Sequence, residues 1–291
     1  MSSQLPAAGA PVSHRIPNIL TVAGVDPSGG AGVLADVKAI SALGGYACAV
    51  VTALTAQNTR AVADVLPIEP SFVRRQLDVL FADVRIDATK IGMLGQAPVI
   101  HAVAERLAHW TVAPVVIDPV MVAKSGDALL DRSAVGALRE MLLPLAGIVT
   151  PNLPEAGVLL ESRAPDSLKE MYRAAEKLRL LLRGDGPRWV MLKGGHLSSG
   201  EAIDLLHDGD RMIELAAPRV STRNTHGTGC TLSAALATLV PQSADVPAAA
   251  RRAKQYLTEA LKHADELAVG AGHGPVHHFH ALWKNAPKQS R

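Results

Sequence analysis

The chain predicts an α/β fold, a mostly parallel sheet covered by helices on both faces. Three observations lead there. Short runs rich in Val and Ile recur, and they are continuously apolar rather than alternating, which is the pattern of strands buried on both sides. Longer segments with helical spacing separate them, giving a βαβα rhythm. No composition break, long linker or internal repeat divides the chain.

The strand runs are Ile19–Val25, Cys48–Leu54, Ala88–Met93, Val115–Ile117, Gly147–Thr150 and Trp189–Lys193. Between them, Phe72, Val73, Leu77, Leu80 and Phe81 keep a helical period, as do Val103, Leu107 and Trp110. Ala202–Leu206 and Met212–Leu215 break the rhythm. They are joined across His207-Asp208-Gly209-Asp210, and Asp-Gly is a strong hairpin signal, so an antiparallel edge is expected there. Two helices, Gly229–Leu239 and Pro247–Leu267, close the chain. In the second, Ala250, Ala253, Leu257, Ala260, Leu261 and Ala264 form an apolar face opposite Arg251, Arg252 and Glu259. Residues 1–15 are small, polar and proline-punctuated and are expected to be a disordered lead-in. Residues 16–285 are expected to form one domain and 286–291 a disordered tail.

Composition excludes several classes of function. With 48% hydrophobic and 19% charged residues, the chain can bury a large core and is not disordered. Lys and Arg number 29 against 27 Asp and Glu, which argues against an electrostatic nucleic-acid binder. Two cysteines, Cys48 and Cys230, make no disulfide framework and point to a reducing cytoplasm. Residues 1–14 hold no basic leader and no long apolar stretch, so no signal peptide is expected, and no run approaches the ~18 apolar residues of a membrane span.

Ligands in open α/β sheets bind beyond the carboxyl ends of the strands, so the residues after each run carry the search for chemistry. Gly24-Val25-Asp26-Pro27-Ser28-Gly29-Gly30-Ala31-Gly32 follows the first strand. Its glycines let backbone pass close to a ligand, but it matches neither nucleotide fingerprint. A plain strand-to-helix turn capped by Ser28 or Asp26 fits equally. Asn152 and Glu155 stand three apart at a helix start, able to hold Mg²⁺ through water, and they also spell a capping box. Asp118 ends a buried strand, where an acid needs a cation. Lys193 ends another and precedes Gly194-Gly195-His196, suited either to an anion or to simple snorkelling.

The most informative stretch is Asn224-Thr225-His226-Gly227-Thr228-Gly229-Cys230, running straight into an Ala/Leu helix. Unpaired amides and the positive end of the helix dipole converge there and make an anion hole suited to a transferring phosphoryl group. The same field is expected to lower the pKa of Cys230 and favour thiolate. A small buried helix residue is the plain alternative. Gln57, after the second strand, offers a carboxamide to a heteroaromatic edge, or is a solvated loop residue. Met93 can cover a flat ring or fill core. The tail Gly272-His273-Gly274-Pro275-Val276-His277-His278-Phe279-His280 invites a metal reading, but it lacks a Cys or carboxylate at ligand spacing and is expected to be packing or surface.

Six segments in this order carry a resemblance: Ala23–Gly32, Ala56-Gln57-Asn58-Thr59, Lys90-Ile91-Gly92-Met93, Pro151–Glu155, Lys193–His196 and Thr225–Cys230. From about Asn18 to Trp283 the chain closely resembles the hydroxymethylpyrimidine/phosphomethylpyrimidine kinase family of thiamine biosynthesis. The resemblance implies a ribokinase-like three-layer α/β/α sandwich with an antiparallel edge hairpin. It implies two successive ATP- and Mg²⁺-dependent phosphoryl transfers, first to 4-amino-5-hydroxymethyl-2-methylpyrimidine and then to its monophosphate. By that likeness Gln57, Gly24, Asp36, Met93 and Val120 form the substrate pocket. Asp118, Asn152, Lys193 and Thr225 face nucleotide and phosphates, and Glu155, Asn152 and Asp118 surround the metal. Gly227, Thr228, Gly229, Lys193 and Cys230 form the catalytic set. Sugar kinases carry an aspartate base where Cys230 stands, so Cys230 is assigned mainly to positioning, with general base the weaker assignment. A cytoplasmic homodimer, free of nucleic acid and membrane, is expected. Three readings compete: a pyridoxal-type kinase, a non-catalytic pyrimidine-binding regulator, and a cysteine-dependent hydrolase.

Overall fold

The computed structural model describes residues 15–283 except 113, 124, 125, 127, 128, 132, 185, 196, 198 and 199. The expected lead-in (Arg15 apart), the tail over 286–291 and His196 therefore lie outside the described residues. The first half of the chain runs β1 (Asn18–Val25), α1 (Gly32–Ala42), β2 (Tyr46–Gln57), β3 (Val62–Pro67), α2 (Pro70–Asp83), β4 (Ala88–Ile91), α3 (Ala97–His109) and β5 (Val115–Ile117). It continues through α4 (Ala134–Ala137), β6 (Ile148–Val149), α5 (Leu153–Leu159), α6 (Leu168–Leu181) and β7 (Trp189–Leu192). β8 (Glu201–His207), β9 (Met212–Pro218), α7 (Thr228–Leu239) and α8 (Val246–Lys262) complete it.

The strands form one sheet in the order β3-β2-β1-β4-β5-β6-β7-β8-β9. The central six are parallel, from β2 through β7. Adjacent residues of each central strand point to opposite faces and both faces are dry, which is why the runs read as continuously apolar. Leu20, Ile91, Ile117, Val149 and Val190 meet α2, α3 and α6 on one side. Ile19, Val116, Ile148, Trp189 and Met191 meet α1, α7 and α8 on the other. α7 is buried almost all round, and its small residues let it lie close against the sheet between α1 and α8. Among the described residues no helix is long and apolar enough to cross a membrane.

The β8–β9 hairpin forms antiparallel on β7, through His207↔Met212, as Asp208-Gly209 indicated. A second antiparallel strand, β3, pairs with β2 at the opposite edge and was not foreseen. Its residues are half-buried or exposed, so no apolar run marks it. β2 extends to Gln57, which therefore ends a strand rather than lying in a loop. α8 stops at Lys262, short of the expected Leu267, and the chain turns through Ala264–Glu266.

One apolar run hides a charge. Lys90 is wholly buried in β4, and its Nζ lies 2.8 Å from Asp36 Oδ2 of α1. Thr21 donates to the same oxygen at 2.6 Å. Burial works to lower the Lys90 pKa, but the Asp36 carboxylate, with Asp118 adding, outweighs it and holds the ammonium charged. Removing one member of such a pair leaves an uncompensated buried charge. Lys90→Met should therefore lower unfolding free energy by about 3–5 kcal/mol in urea titrations, with Lys90→Met/Asp36→Leu recovering most of the loss.

Candidate active site

The carboxyl ends of the parallel strands and the start of α7 enclose a cavity of about 450 Å³. Gly24, Gln57, Met93 and Val120 line one part of it. Asp118, Asn152, Glu155, Lys193 and Thr225 line the charged part with Gly227, Thr228, Gly229 and Cys230. These residues lie far apart in sequence and meet because strand order, not chain order, sets their neighbours. Asp36 is the exception among those singled out. It is fully buried behind the wall, its carboxylate taken by Lys90 and Thr21, so it does not line the cavity as expected.

Asp118 is the charged centre. It is 2% exposed at the end of β5 and accepts Lys193 Nζ at 2.8 Å and Thr150 Oγ1 at 3.2 Å. Ser233 Oγ of α7 lies 3.3 Å from its other oxygen. Burial pushes its pKa up, but the Lys193 and Lys90 ammoniums outweigh that and hold it below the usual carboxylate range. Lys193 is raised in turn: burial lowers it, and Asp118 and Glu155 more than compensate. Thr150 and Ser233 were missed by sequence reasoning. Their signal was a polar residue closing an apolar strand and another within an otherwise apolar helix. Asp204 of β8 was missed too. It accepts the Gly194 amide at 2.9 Å and the Lys254 ammonium at 2.5 Å, bracing the turn after Lys193.

Glu155 and Asn152 form a reciprocal capping box at the start of α5. The Glu155 amide donates to Asn152 Oδ1 at 2.8 Å and the Asn152 amide to Glu155 Oε2 at 2.7 Å. The cap fixes where the carboxylate points, with Lys193 Nζ 4.0 Å away. Burial pushes the Glu155 carboxyl up to about 7, Lys193 opposing and Asp118 adding.

Gly227 caps α7 in the left-handed region at φ 75°, and a Cβ there would stand 1.8 Å from the Gly30 carbonyl oxygen. Glycine is thus demanded twice, by conformation and by contact. The first amides of α7 have no acceptor within the helix and face the cavity end holding Lys193, 3.2 Å from a Cβ built on Gly229. The two loops are also latched by side chains. His226 Nε2 lies 2.7 Å from Asp26 Oδ2, and both residues line the cavity. Asp26 further accepts the Ser28 amide and hydroxyl and the Ala31 amide. This partner for His226 stands 200 residues away and left no local trace in the sequence.

Cys230 departs from the expectation of a thiolate. Burial pushes its thiol up to about 11, and Asp36 and Asp118 add to the shift against Lys90. Burial of the thiol, more than any neighbouring charge, keeps it protonated at the helix start.

A family model described as Phosphomethylpyrimidine kinase matches residues 26–277. The hydroxymethylpyrimidine/phosphomethylpyrimidine kinase of Escherichia coli is 53% identical over 266 residues, covering 91% of this chain and 98% of that protein. Among solved structures, the ADP complex of Bacillus subtilis pyridoxal kinase superposes with a TM-score of 0.83 at 34% identity, covering 91% of this chain and 98% of that one. Phosphomethylpyrimidine kinase from Clostridium difficile gives 0.73 at 36% identity, covering 85% of this chain and all of that one. Fold and site thus define a phosphotransferase of the ribokinase-like α/β class. Within that class, the chain belongs to the phosphomethylpyrimidine kinase family.

A protonated thiol reacts slowly with alkylating agents. Iodoacetamide labelling of Cys230, followed by peptide mass spectrometry, should be slow at pH 7 and accelerate up to about pH 11. A plateau already reached near neutrality would show a thiolate instead.

Proposed function

We propose that this chain transfers phosphate from ATP to the hydroxymethyl group of 4-amino-5-hydroxymethyl-2-methylpyrimidine, and then phosphorylates the monophosphate to the diphosphate for thiamine synthesis. The observation that carries the reading is one cavity with an apolar, amide-bearing end at Gln57, Met93 and Val120 and a charged end at Asp118, Lys193 and the α7 amides. Thr55 Oγ1, whose one proton is shared between the Val25 carbonyl at 2.9 Å and Gln57 Oε1 at 3.1 Å, lies beside the carboxamide and orients it. The NH₂ group and the remaining lone pair are left for an aminopyrimidine edge. Met93 and Val120 supply apolar contact to the ring faces.

At the other end, the α7 amides donate to the oxygens of the migrating phosphoryl group, and Lys193, shared with Asp118, is a further donor beside them. Transfer through a loose transition state needs little early deprotonation of the acceptor, so a neutral Cys230 is no obstacle, and its part is to pack against and position the hydroxyl. Mg²⁺ enters this reading with the nucleotide. The donor set suits it: the buried Glu155 carboxyl, pushed up to about 7, lacks a full countercharge, and Asp118 stands beside it. Glu155, Asp118 and Asn152 would hold the ion through water, and it would supply charge neutralisation to the phosphates. A cytoplasmic homodimer belongs to the same reading. Its support is the family likeness together with two unpaired thiols, Cys48 and Cys230.

A pyridoxal-type kinase is the second reading, supported by the likeness in structure to the Bacillus subtilis enzyme. Mass spectrometry after incubation with ATP, Mg²⁺ and either alcohol should give mono- and diphosphate of the pyrimidine, with slower or no product from pyridoxal. Gln57→Ala should raise KM for the pyrimidine about tenfold while leaving KM for ATP nearly unchanged.

The Glu155 carboxyl is protonated in the folded protein below about pH 7 and ionised above it. KM for Mg-ATP should therefore rise as pH falls through about 7, and Glu155→Gln should remove that inflection while raising KM throughout. An unchanged inflection in Glu155→Gln assigns it to another group.

A further inference from the structure

Beyond α8 the chain runs back to two loops that adjoin the cavity. It bends at residues 271–273, touches the β2–β3 turn at Thr59, passes the loop before α7, and docks on α8 through the His277 amide on the Ala260 carbonyl at 3.0 Å. Leu267–His273 is half-buried or exposed while Gly274–His278 is buried, so core packing alone does not explain the glycines at 272 and 274. Contacts at two places do.

At the first, two residues beyond Gln57, the His273 amide donates to the Thr59 carbonyl at 2.9 Å and the Gly272 amide to Thr59 Oγ1 at 3.1 Å. A Cβ on Gly272 would stand 2.0 Å from that carbonyl oxygen. At the second, the Gly274 carbonyl accepts the His226 amide at 3.0 Å, and the Gly274 amide donates to Asn224 Oδ1 at 3.1 Å. A Cβ on Gly274 would stand 2.2 Å from Asn224 Oδ1. Asn224 is itself anchored, its Nδ2 donating to Asp265 Oδ1 at 2.7 Å. Gly272 and Gly274 are two residues apart, a reach of at most about 7 Å. The strap therefore pins the turn after Gln57 directly to the loop that begins the anion hole, where His226 also latches Asp26.

We propose that the strap Gly272–Pro275 is a positioning element that fixes the separation between the acceptor-reading end of the cavity and the amides that receive the phosphoryl group. It takes from the function proposed above only that Gln57 faces the acceptor and the α7 loop the phosphate. Neither strap glycine touches substrate; both act through Thr59 and Asn224. A strap that only stabilised the fold would leave the two ends independent. A positioning strap makes a disturbance at one end appear at the other.

Hydrogen exchange on the ligand-free full chain reads this without turnover. Gly272→Ala, which presses on Thr59, should speed exchange of the amides of residues 226–229, and Gly274→Ala, which presses on Asn224, should speed exchange at residues 57–61. The expected change is about fivefold, the worth of one neutral hydrogen bond. Thr59→Val removes a hydroxyl at constant shape and carries the test if a glycine variant fails to fold. It should raise KM for the pyrimidine alcohol and also lower kcat, each about threefold to fivefold, with Thr59→Ser restoring both. Exchange confined to the substituted side overturns the proposal, as does a lowered melting temperature with kinetic constants unaltered. If the unaltered protein phosphorylates no pyrimidine, the proposed function fails and the exchange comparison still decides the strap.

Discussion

The ion pair between Asp118 and Lys193 is the constraint on which the site depends. The two residues end β5 and β7, with β6 between them, so they meet only if three parallel strands hold register. The carboxylate is tied to every element around the charged end of the cavity: Thr150 from β6, Ser233 from α7 and, through its field, Lys90 from β4. Because Asp118 is kept ionised, it keeps Lys193 protonated, raises Glu155 and contributes to the neutrality of Cys230. A single buried charge thus holds Lys193 protonated and adds to what burial does at Glu155 and Cys230, and it does so from a position that the α/β topology dictates.

Much of the fold was legible because burial on both faces leaves a one-dimensional signature. The runs at Ile19–Val25 and Val115–Ile117 are apolar at consecutive positions, and the structure explains it by sending alternate residues to two separate cores. The Asp208-Gly209 turn was legible for a different reason, since backbone conformation alone selects those residues. β3 was not legible. It lies at an edge with exposed side chains, and an edge strand is specified by its partner's backbone more than by its own residues. Glycines and charged residues at strand ends pointed to the cavity, but their partners did not announce themselves. Asp26 and His226, or Asp36 and Lys90, carry no mutual pattern because the fold alone brings them together. The same limit explains the error over Cys230. A helix start is visible in sequence, whereas the burial of the thiol there, with Asp36 and Asp118 nearby, is not.

The tail shows how a segment without apolar pattern can still be constrained. Gly272 and Gly274 look like linker residues, and only the closeness of Thr59 and Asn224 reveals that a side chain at either would collide. Such positions obey a steric rule rather than a compositional one. The same holds at Gly227 against Gly30, where two loops from opposite ends of the chain meet backbone to backbone.

Charge balance accounts for helix-start amides, rather than a further cation, at the charged end of the cavity. Around the cavity Lys90 is offset by Asp36 and Lys193 by Asp118, so neither ammonium is a free counterion, and Glu155 sits near its own midpoint at neutral pH. A phosphoryl group entering there would bring negative charge into a region already close to neutral. A further lysine would have to be buried, at a desolvation cost comparable with its benefit. The amides at the start of α7 carry no net charge, are ordered before any ligand arrives, and need no counterion when the site is empty. A cation that travels with the nucleotide would add positive charge only when phosphate is present. Permanent dipoles in the protein and a mobile charge on the ligand together would leave the site without need of another fixed negative group, which suits a neutral thiol at Cys230.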